Sequence, residues 1–139
     1  MAIIWQQTLH GTKYEVRSAG SSIRLYNNGQ LNSQYSARHF FTGNVWDLLT
    51  LPALLAKTEL RRVLLLGVGG GTVVHQLDQI YHPHAMLGIE LDPVHIKVAR
   101  KFFDVDRPNL KIHRADAIQW VKDYRGDRFD LIIDDLFLE

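Results

Sequence analysis

Three stretches of this chain hold residues whose types and spacing suit the binding of a nucleoside. In the first, Val63-Leu64-Leu65-Leu66-Gly67-Val68-Gly69-Gly70-Gly71-Thr72, an apolar run leads into glycines and then into a helical pattern. Glycine lets a ligand approach the backbone closely, and a helix start presents N–H groups that lack intrahelical partners. The second is Glu90, at the end of the next strand-like run and about 20 residues on, where a carboxylate accepts hydrogen bonds from the hydroxyls of an adenosine ribose. The third is His113-Arg114-Ala115-Asp116-Ala117. Asp116 falls at another strand end, where its carboxylate can accept from an adenine amino group or cap the helix that begins at Ala117.

These residues need elements to position them, and the pattern supplies a repeating alternation. Strand-like runs at Arg62 to Leu66, Met86 to Leu91, Leu110 to His113 and Phe129 to Ile133 are separated by helical patterns at Thr72 to Tyr81, Pro93 to Phe103 and Ala117 to Tyr124. That order predicts an α/β fold, Rossmann-like, with about four parallel strands, right-handed crossovers and helices on both faces. All three motifs then share the C-terminal rim of the sheet, where open α/β sheets bind ligands. Ahead of this part, Lys13 to Ser18 and Ser22 to Tyr26 lie between Gly11, Gly20 and Asn27-Asn28-Gly29, which predicts a small N-terminal β-hairpin unit over residues 1–40. From Asn44 to Lys57, Val45, Trp46, Leu48, Leu49, Leu51, Leu54 and Leu55 recur at helical spacing, with Pro52 dividing the stretch. We read it as a helical connector packed on the cofactor-binding domain of residues 41–139.

A nicotinamide cofactor competes for the same motifs, but its fingerprint has a third glycine where this chain has Thr72. Gly67-x-Gly69-x-Gly71 fits the class I S-adenosylmethionine-dependent methyltransferase form instead. Composition narrows the field further. Sixteen basic and fifteen acidic residues leave a formal charge of +1, so no general attraction to nucleic acid or to an anionic membrane is expected. The chain has no cysteine, which excludes thiol nucleophiles and thiolate metal sites. Seven histidines, among them His75, His82 and His84, show no metal-ligand spacing, and no metal is expected. No apolar run approaches a membrane span and the start lacks a signal-peptide pattern, so the expected location is cytoplasmic. Trp5, Trp46 and Trp120 are read as packing groups.

The block Ile89-Glu90-Leu91-Asp92-Pro93-Val94-His95-Ile96-Lys97-Val98-Ala99-Arg100-Lys101-Phe102-Phe103 is similar to the E-[IL]-D-x-x-V-I-x-x-A-[RK]-x-x-F region of the spermidine synthase family. Asp116-Ala117 resembles that family's G-D-A motif, and Phe129-Asp130-Leu131-Ile132-Ile133-Asp134-Asp135 its Y-D-V-I-I-x-D run. Thr12-Lys13-Tyr14-Glu15 stands at its S-x-Y-Q segment and Asn28-Gly29 at its hairpin turn. The resemblance implies that Gly67, Gly69, Gly71, Glu90, Leu91, Asp116 and Ala117 bind decarboxylated S-adenosylmethionine or S-adenosylmethionine itself. It also implies that Asp135 is catalytic, and that methylthioadenosine or S-adenosylhomocysteine is released. The partners it implies are a small-molecule amine substrate and a second copy of the chain in a homodimer.

By the same resemblance, Asp135 takes the proton from an amine that attacks beside the sulfonium, because free amines near pKa ~10 are protonated at neutral pH. The departures gather where a diamine would bind. Gly70 replaces an aspartate that pairs with the aminopropyl ammonium, Glu15 and Asn32 replace glutamines, Phe41 replaces a tyrosine, and Leu138 replaces the second aspartate of D-S-S-D. They keep two alternatives open beside aminopropyl transfer: methyl transfer, or a noncatalytic module that retained the nucleoside pocket. Class I sheets carry seven strands, and this chain stops just after the fourth at Glu139. The expectation is a longer native product, or a dimer that covers the apolar edge of strand four.

Overall fold

The structure is a computed structural model that describes residues 1–56 and 59–137. Leu138 and Lys57, both used in the sequence reading, lie outside the described residues. Two four-stranded sheets organise the chain. The first is an antiparallel meander of β1 (Ala2–Leu9), β2 (Thr12–Ala19), β3 (Ser22–Asn27) and β4 (Gln30–Ser36), in the order β1-β2-β3-β4. The expected hairpin is its middle pair, with Val16 opposite Leu25. The outer strands escaped the sequence reading for physical reasons: β1 is mostly exposed and its sequence does not alternate apolar with polar residues, and β4, Gln-Leu-Asn-Ser-Gln-Tyr-Ser, is polar, with only Leu31 and Tyr35 packing on the cores. Asn28 and Gly29, at φ 47° and 83°, make the two-residue turn between β3 and β4.

The second sheet is parallel, in the order β7-β6-β5-β8, formed by β5 (Arg62–Leu66), β6 (Ala85–Glu90), β7 (Leu110–Arg114) and β8 (Leu131–Asp134). Alternate residues of β5 enter different cores. Val63 and Leu65 pack with Val73, Val74 and Leu77 of α2 (Thr72–Tyr81), whereas Leu64 and Leu66 pack with Ala117 and Trp120 of α4 (Ala117–Asp123). Burial on both faces is why the strand reads as a continuous apolar run. β8 flanks β5 at the sheet edge, and Ile132 on it is 57% exposed. No helix of the described residues is long and apolar enough to cross a membrane.

The connector differs from expectation. It forms α1 (Val45–Thr50) and a 3₁₀ turn, Leu51–Leu55, and only Trp46, Thr50 and Ala53 are buried. Val45, Leu48, Leu51, Leu54 and Leu55 face outward, because one face alone of so short a helical stretch meets the core.

The meander is fastened to the parallel part by packing and by polar clasps. Tyr14, Val16 and Leu25 share a core with Val94, Val98 and Phe103 on and just after α3 (Pro93–Phe102). Thr72 clasps β4, its hydroxyl donating to the Gln34 carbonyl and accepting from the Gln34 N–H, each at 2.9 Å. The residue that breaks the dinucleotide fingerprint therefore joins the two sheets. His75 stacks on Tyr35 and lies 2.6 Å from the Phe103 carbonyl oxygen. Burial first, and then Arg107, push its pKa down to about 4, so it is a neutral packing group.

Candidate functional site

The sheet order reverses between β5 and β8, and a cleft of about 610 Å³ opens there, outside the carboxyl ends of the strands. Gly67, Gly69, Glu90, Leu91, Asp116, Ala117 and Asp135 all line it; Gly71 does not. The meander forms the opposite wall, with Tyr14, Asn27, Gln30 and Asn32. Among the described residues, no group of His, Cys, Asp and Glu is gathered that could hold a metal ion.

Each glycine of the loop has its own physical requirement. Gly67, at φ 82°, donates to the Ile89 carbonyl at 2.9 Å, and a Cβ there would lie 2.6 Å from the Asp135 carbonyl oxygen. Gly69, at φ 54°, has Ser33 Oγ at 2.6 Å and Asn32 Oδ1 at 2.8 Å from the position of a Cβ. Gly71 caps α2 at φ 94°, and its missing side chain makes room for Val105, at 2.6 Å. It serves helix packing rather than the cleft wall.

Glu90 is buried beneath the loop. Its Oε2 accepts from the N–H groups of Val68 and Gly69 at 2.9 and 2.8 Å, its Oε1 accepts from the Asp92 N–H at 2.8 Å, and His95 Nδ1 lies 3.5 Å from Oε1. Burial would raise its pKa, but His95 and these backbone donors outweigh burial and hold it down at about 2. Asp92 caps α3 through Val94 N and accepts from the Tyr14 hydroxyl at 2.6 Å. Asp116 caps α4, its Oδ1 accepting from Gln119 N at 3.0 Å. Its other carboxylate oxygen has no protein hydrogen bond among the described residues, so capping and ligand contact are compatible. Leu91, 61% exposed, stands at the mouth, and Ala117 is buried beside Asp116.

Asp135 follows β8, its N–H donating to the Leu66 carbonyl at 2.9 Å. Burial pushes its carboxyl up to about 6, the nearby Asp134 and Glu90 charges add to the rise, and a hydrogen bond from Trp46 opposes it. Such a group exchanges protons near neutral pH, the range that suits general-base work. Trp46, read as a packing residue, is buried and also lowers the pKa of this carboxyl. His95 is a second residue that the motif reading passed over, although it stands where the quoted pattern has valine.

The departures take definite positions. A Cβ at Gly70 would lie 2.8 Å from Phe103 Cε1 and 2.8 Å from Ser33 Cβ, and the Gly70 N–H donates to Ser33 Oγ at 2.7 Å. Phe103 and Ser33 thus occupy the space an aspartate would need. Glu15 is buried, ion-paired with Lys13 and Arg17, and does not line the cleft; those two partners, Lys13 first, lower its pKa. Asn32 does line it, whereas Phe41 is exposed beside Phe40.

The residues present fit an adenosyl group: Gly67 and Gly69 line the cleft without side chains, Glu90 stands at a strand end beside them, and Asp116 keeps an unengaged carboxylate oxygen. An aminopropyl ammonium finds no acid at Gly70.

Comparison with known proteins agrees with this architecture. The spermine/spermidine synthase domain family matches residues 46–139, well over half of the chain. A polyamine aminopropyltransferase of Vibrio vulnificus is 33% identical over 92 residues, covering 64% of this chain and 31% of its own length. Polyamine aminopropyltransferase 2 of Caldanaerobacter subterraneus is 26% identical over 125 residues, covering 88% of this chain and 40% of its own length. The chain thus spans less than half the length of these curated relatives. A crystal structure of a probable spermidine synthase from Corynebacterium glutamicum superposes with a TM-score of 0.80 at 21% identity, covering 99% of this chain and 53% of that one. A spermidine synthase bound to the transition-state analogue AdoDATO superposes at 0.76 and 18% identity, covering 97% of this chain and 46% of that one. Matched by that family's model over residues 46–139, this chain belongs to the spermine/spermidine synthase domain family.

Proposed function

We propose that this chain is the cofactor-binding part of an aminopropyltransferase, taking decarboxylated S-adenosylmethionine and passing its aminopropyl group to a small amine. One observation carries the reading: Asp135, held near pKa 6, shares one cleft with Glu90 and Asp116. The relatives' aminopropyltransferase names point the same way.

The sulfonium of the bound donor supplies the electrophilic carbon. Glu90 accepts from the ribose hydroxyls, Asp116 accepts from the adenine amino group through its unengaged oxygen, and Gly67 and Gly69 admit the ligand to the backbone. Asp135 accepts a proton from the amine as it attacks, help worth roughly a hundredfold to ten-thousandfold. As the new N–C bond forms, the C–S bond to the sulfonium breaks and methylthioadenosine leaves. In this reading residues 41–139 form the cofactor domain and the meander of residues 1–40 closes the cleft. A homodimer belongs to the same reading, with the exposed Ile132 on edge strand β8 as apolar surface for it to cover.

A second reading, with intact S-adenosylmethionine as a methyl donor or with nucleoside binding alone, is favoured by the space at Gly70 that Phe103 and Ser33 fill. The protein is incubated with each form of the cofactor and candidate diamines, and methylthioadenosine and S-adenosylhomocysteine are quantified. The proposal expects methylthioadenosine from the decarboxylated form, with a diamine required. Production of S-adenosylhomocysteine alone, or binding without consumption, overturns it in favour of the second reading.

A further inference from the structure

His95 lies on the first turns of α3, lines the cleft, and is only 8% exposed. Its ring is held on three sides. Nε2 lies 2.8 Å from Asn27 Nδ2 on the meander, the ring stands edge-on to Tyr14 with centroids 5.9 Å apart, and Nδ1 faces Glu90 Oε1 at 3.5 Å. Asp92 Oδ2 also lies 3.6 Å from Nε2, but with Nε2 accepting from the Asn27 Nδ2 amide at 2.8 Å, Nδ1 is the nitrogen that carries a proton toward the Glu90 carboxylate.

Three backbone N–H groups donate to Glu90, Val68 N and Gly69 N to Oε2 and Asp92 N to Oε1, while His95 Nδ1 stands 3.5 Å from Oε1 without closing a hydrogen bond. A carboxylate offers about four lone-pair sites, so one on Oε1 stays open on the His95 side. A ribose hydroxyl can reach the acid there without displacing a backbone donor. The three backbone donors sit at 2.8 or 2.9 Å and belong to the loop and the α3 cap, whereas the His95 contact is the longest of the four.

We propose that His95 is a ribose-binding residue in its own right: a hydroxyl of the diol enters between Glu90 Oε1 and His95 Nδ1, donating to the carboxylate and accepting from the imidazole N–H. This rests on the adenosyl reading of the cleft and deepens it. Glu90 alone recognises only the hydrogens of a diol, while the pair recognises a group that donates and accepts at once. The ring is already in place, so little ordering is needed on binding. Valine, the pattern residue at this position, has no donor, so the contact is a property of this chain.

The test uses calorimetry with adenosine and 2′,3′-dideoxyadenosine on the unaltered protein, His95→Leu and His95→Asn. Asparagine carries an amide nitrogen close to where Nδ1 sits. The unaltered protein is expected to favour adenosine, His95→Leu to shrink that preference roughly three- to tenfold, and His95→Asn to keep most of it. A role limited to tying Asn27 to α3 would instead weaken both ligands alike in both variants, leaving the preference unchanged, and that result overturns the proposal. Should His95→Leu not fold, nitrogen-15 spectra of the unaltered protein decide: the His95 Nδ1 signal moves with adenosine and stays put with the dideoxy analogue, or the proposal fails. Binding of neither nucleoside by the unaltered protein overturns the adenosyl reading and this inference with it, whereas adenosine binding that depends on Glu90 but not on His95 overturns the inference alone.

Discussion

Replacing Asp135 with asparagine separates the catalytic role proposed for this residue from what it costs the fold. Its carboxyl rises from an ordinary 3.8 to about 6, chiefly by burial. The folded protein therefore keeps a proton that the unfolded chain releases between those values. Stability that is fully present below the unfolded pKa is lost as pH rises through the folded one. At about 1.4 kcal/mol per pH unit the full shift amounts to about 3 kcal/mol. Asp135 is partly open to solvent, so screening reduces this to about 1–2 kcal/mol. Asparagine keeps an oxygen for the Trp46 N–H and cannot ionise. Urea unfolding of both proteins from pH 4 to pH 8 measures the difference. Asp135→Asn should gain about 1–2 kcal/mol on the unaltered protein between pH 4 and pH 6 and hold a constant advantage above. His75 works in the opposite direction in the same window: its pKa falls from 6.5 to about 4, so its contribution is present above 6.5 and lost as pH drops toward 4. Both proteins contain His75, so it cancels in the difference. In the same samples turnover should fall by roughly a hundredfold or more. A stability difference that stays flat with pH refutes the argument from burial.

Glu90→Ala leaves the Val68 and Gly69 N–H groups without their acceptor, so methylthioadenosine binding should weaken and stability should drop by about 1–3 kcal/mol at neutral pH. Both effects are readable by calorimetry and thermal melts, and equal affinity before and after the change defeats the assignment. Trp46→Phe removes the donor that opposes the rise at Asp135, so the pH–rate profile should shift toward higher pH; an unmoved profile counts against it. Gly70→Asp should lower the melting temperature, by an overpacking cost of about 1–3 kcal/mol, without improving use of the decarboxylated cofactor, because Phe103 and Ser33 fill the space. A gain in turnover there would show that the loop has room to adjust.

The parallel sheet and its rim were legible in the residues because each signal is local. An apolar strand entering glycines, an acid at a strand end and an aspartate before a helix are each written within about ten residues, and the alternation of elements puts their ends on one rim. The contacts that decide the cleft join residues far apart along the chain, and no pattern within a window encodes them. Gly71 looked like part of a ligand loop, yet its neighbour is Val105. Glu15 looked like part of the cleft, but it pairs with Lys13 and Arg17 instead, away from the lining that Tyr14 joins. Trp46 looked like packing alone, yet it also lowers the pKa of Asp135, a residue far from it along the chain. The polar strand β4 gave no alternation to read, because its place depends on Thr72 and Gly70 meeting Gln34 and Ser33. Which residues form the elements and which acids stand at strand ends was determined by the sequence, through short-range pattern and backbone preference. Which donors surround Glu90, why Gly70 has no room for a side chain, and where Asp135 sits between burial and charge were decided only when packing brought the meander against the sheet.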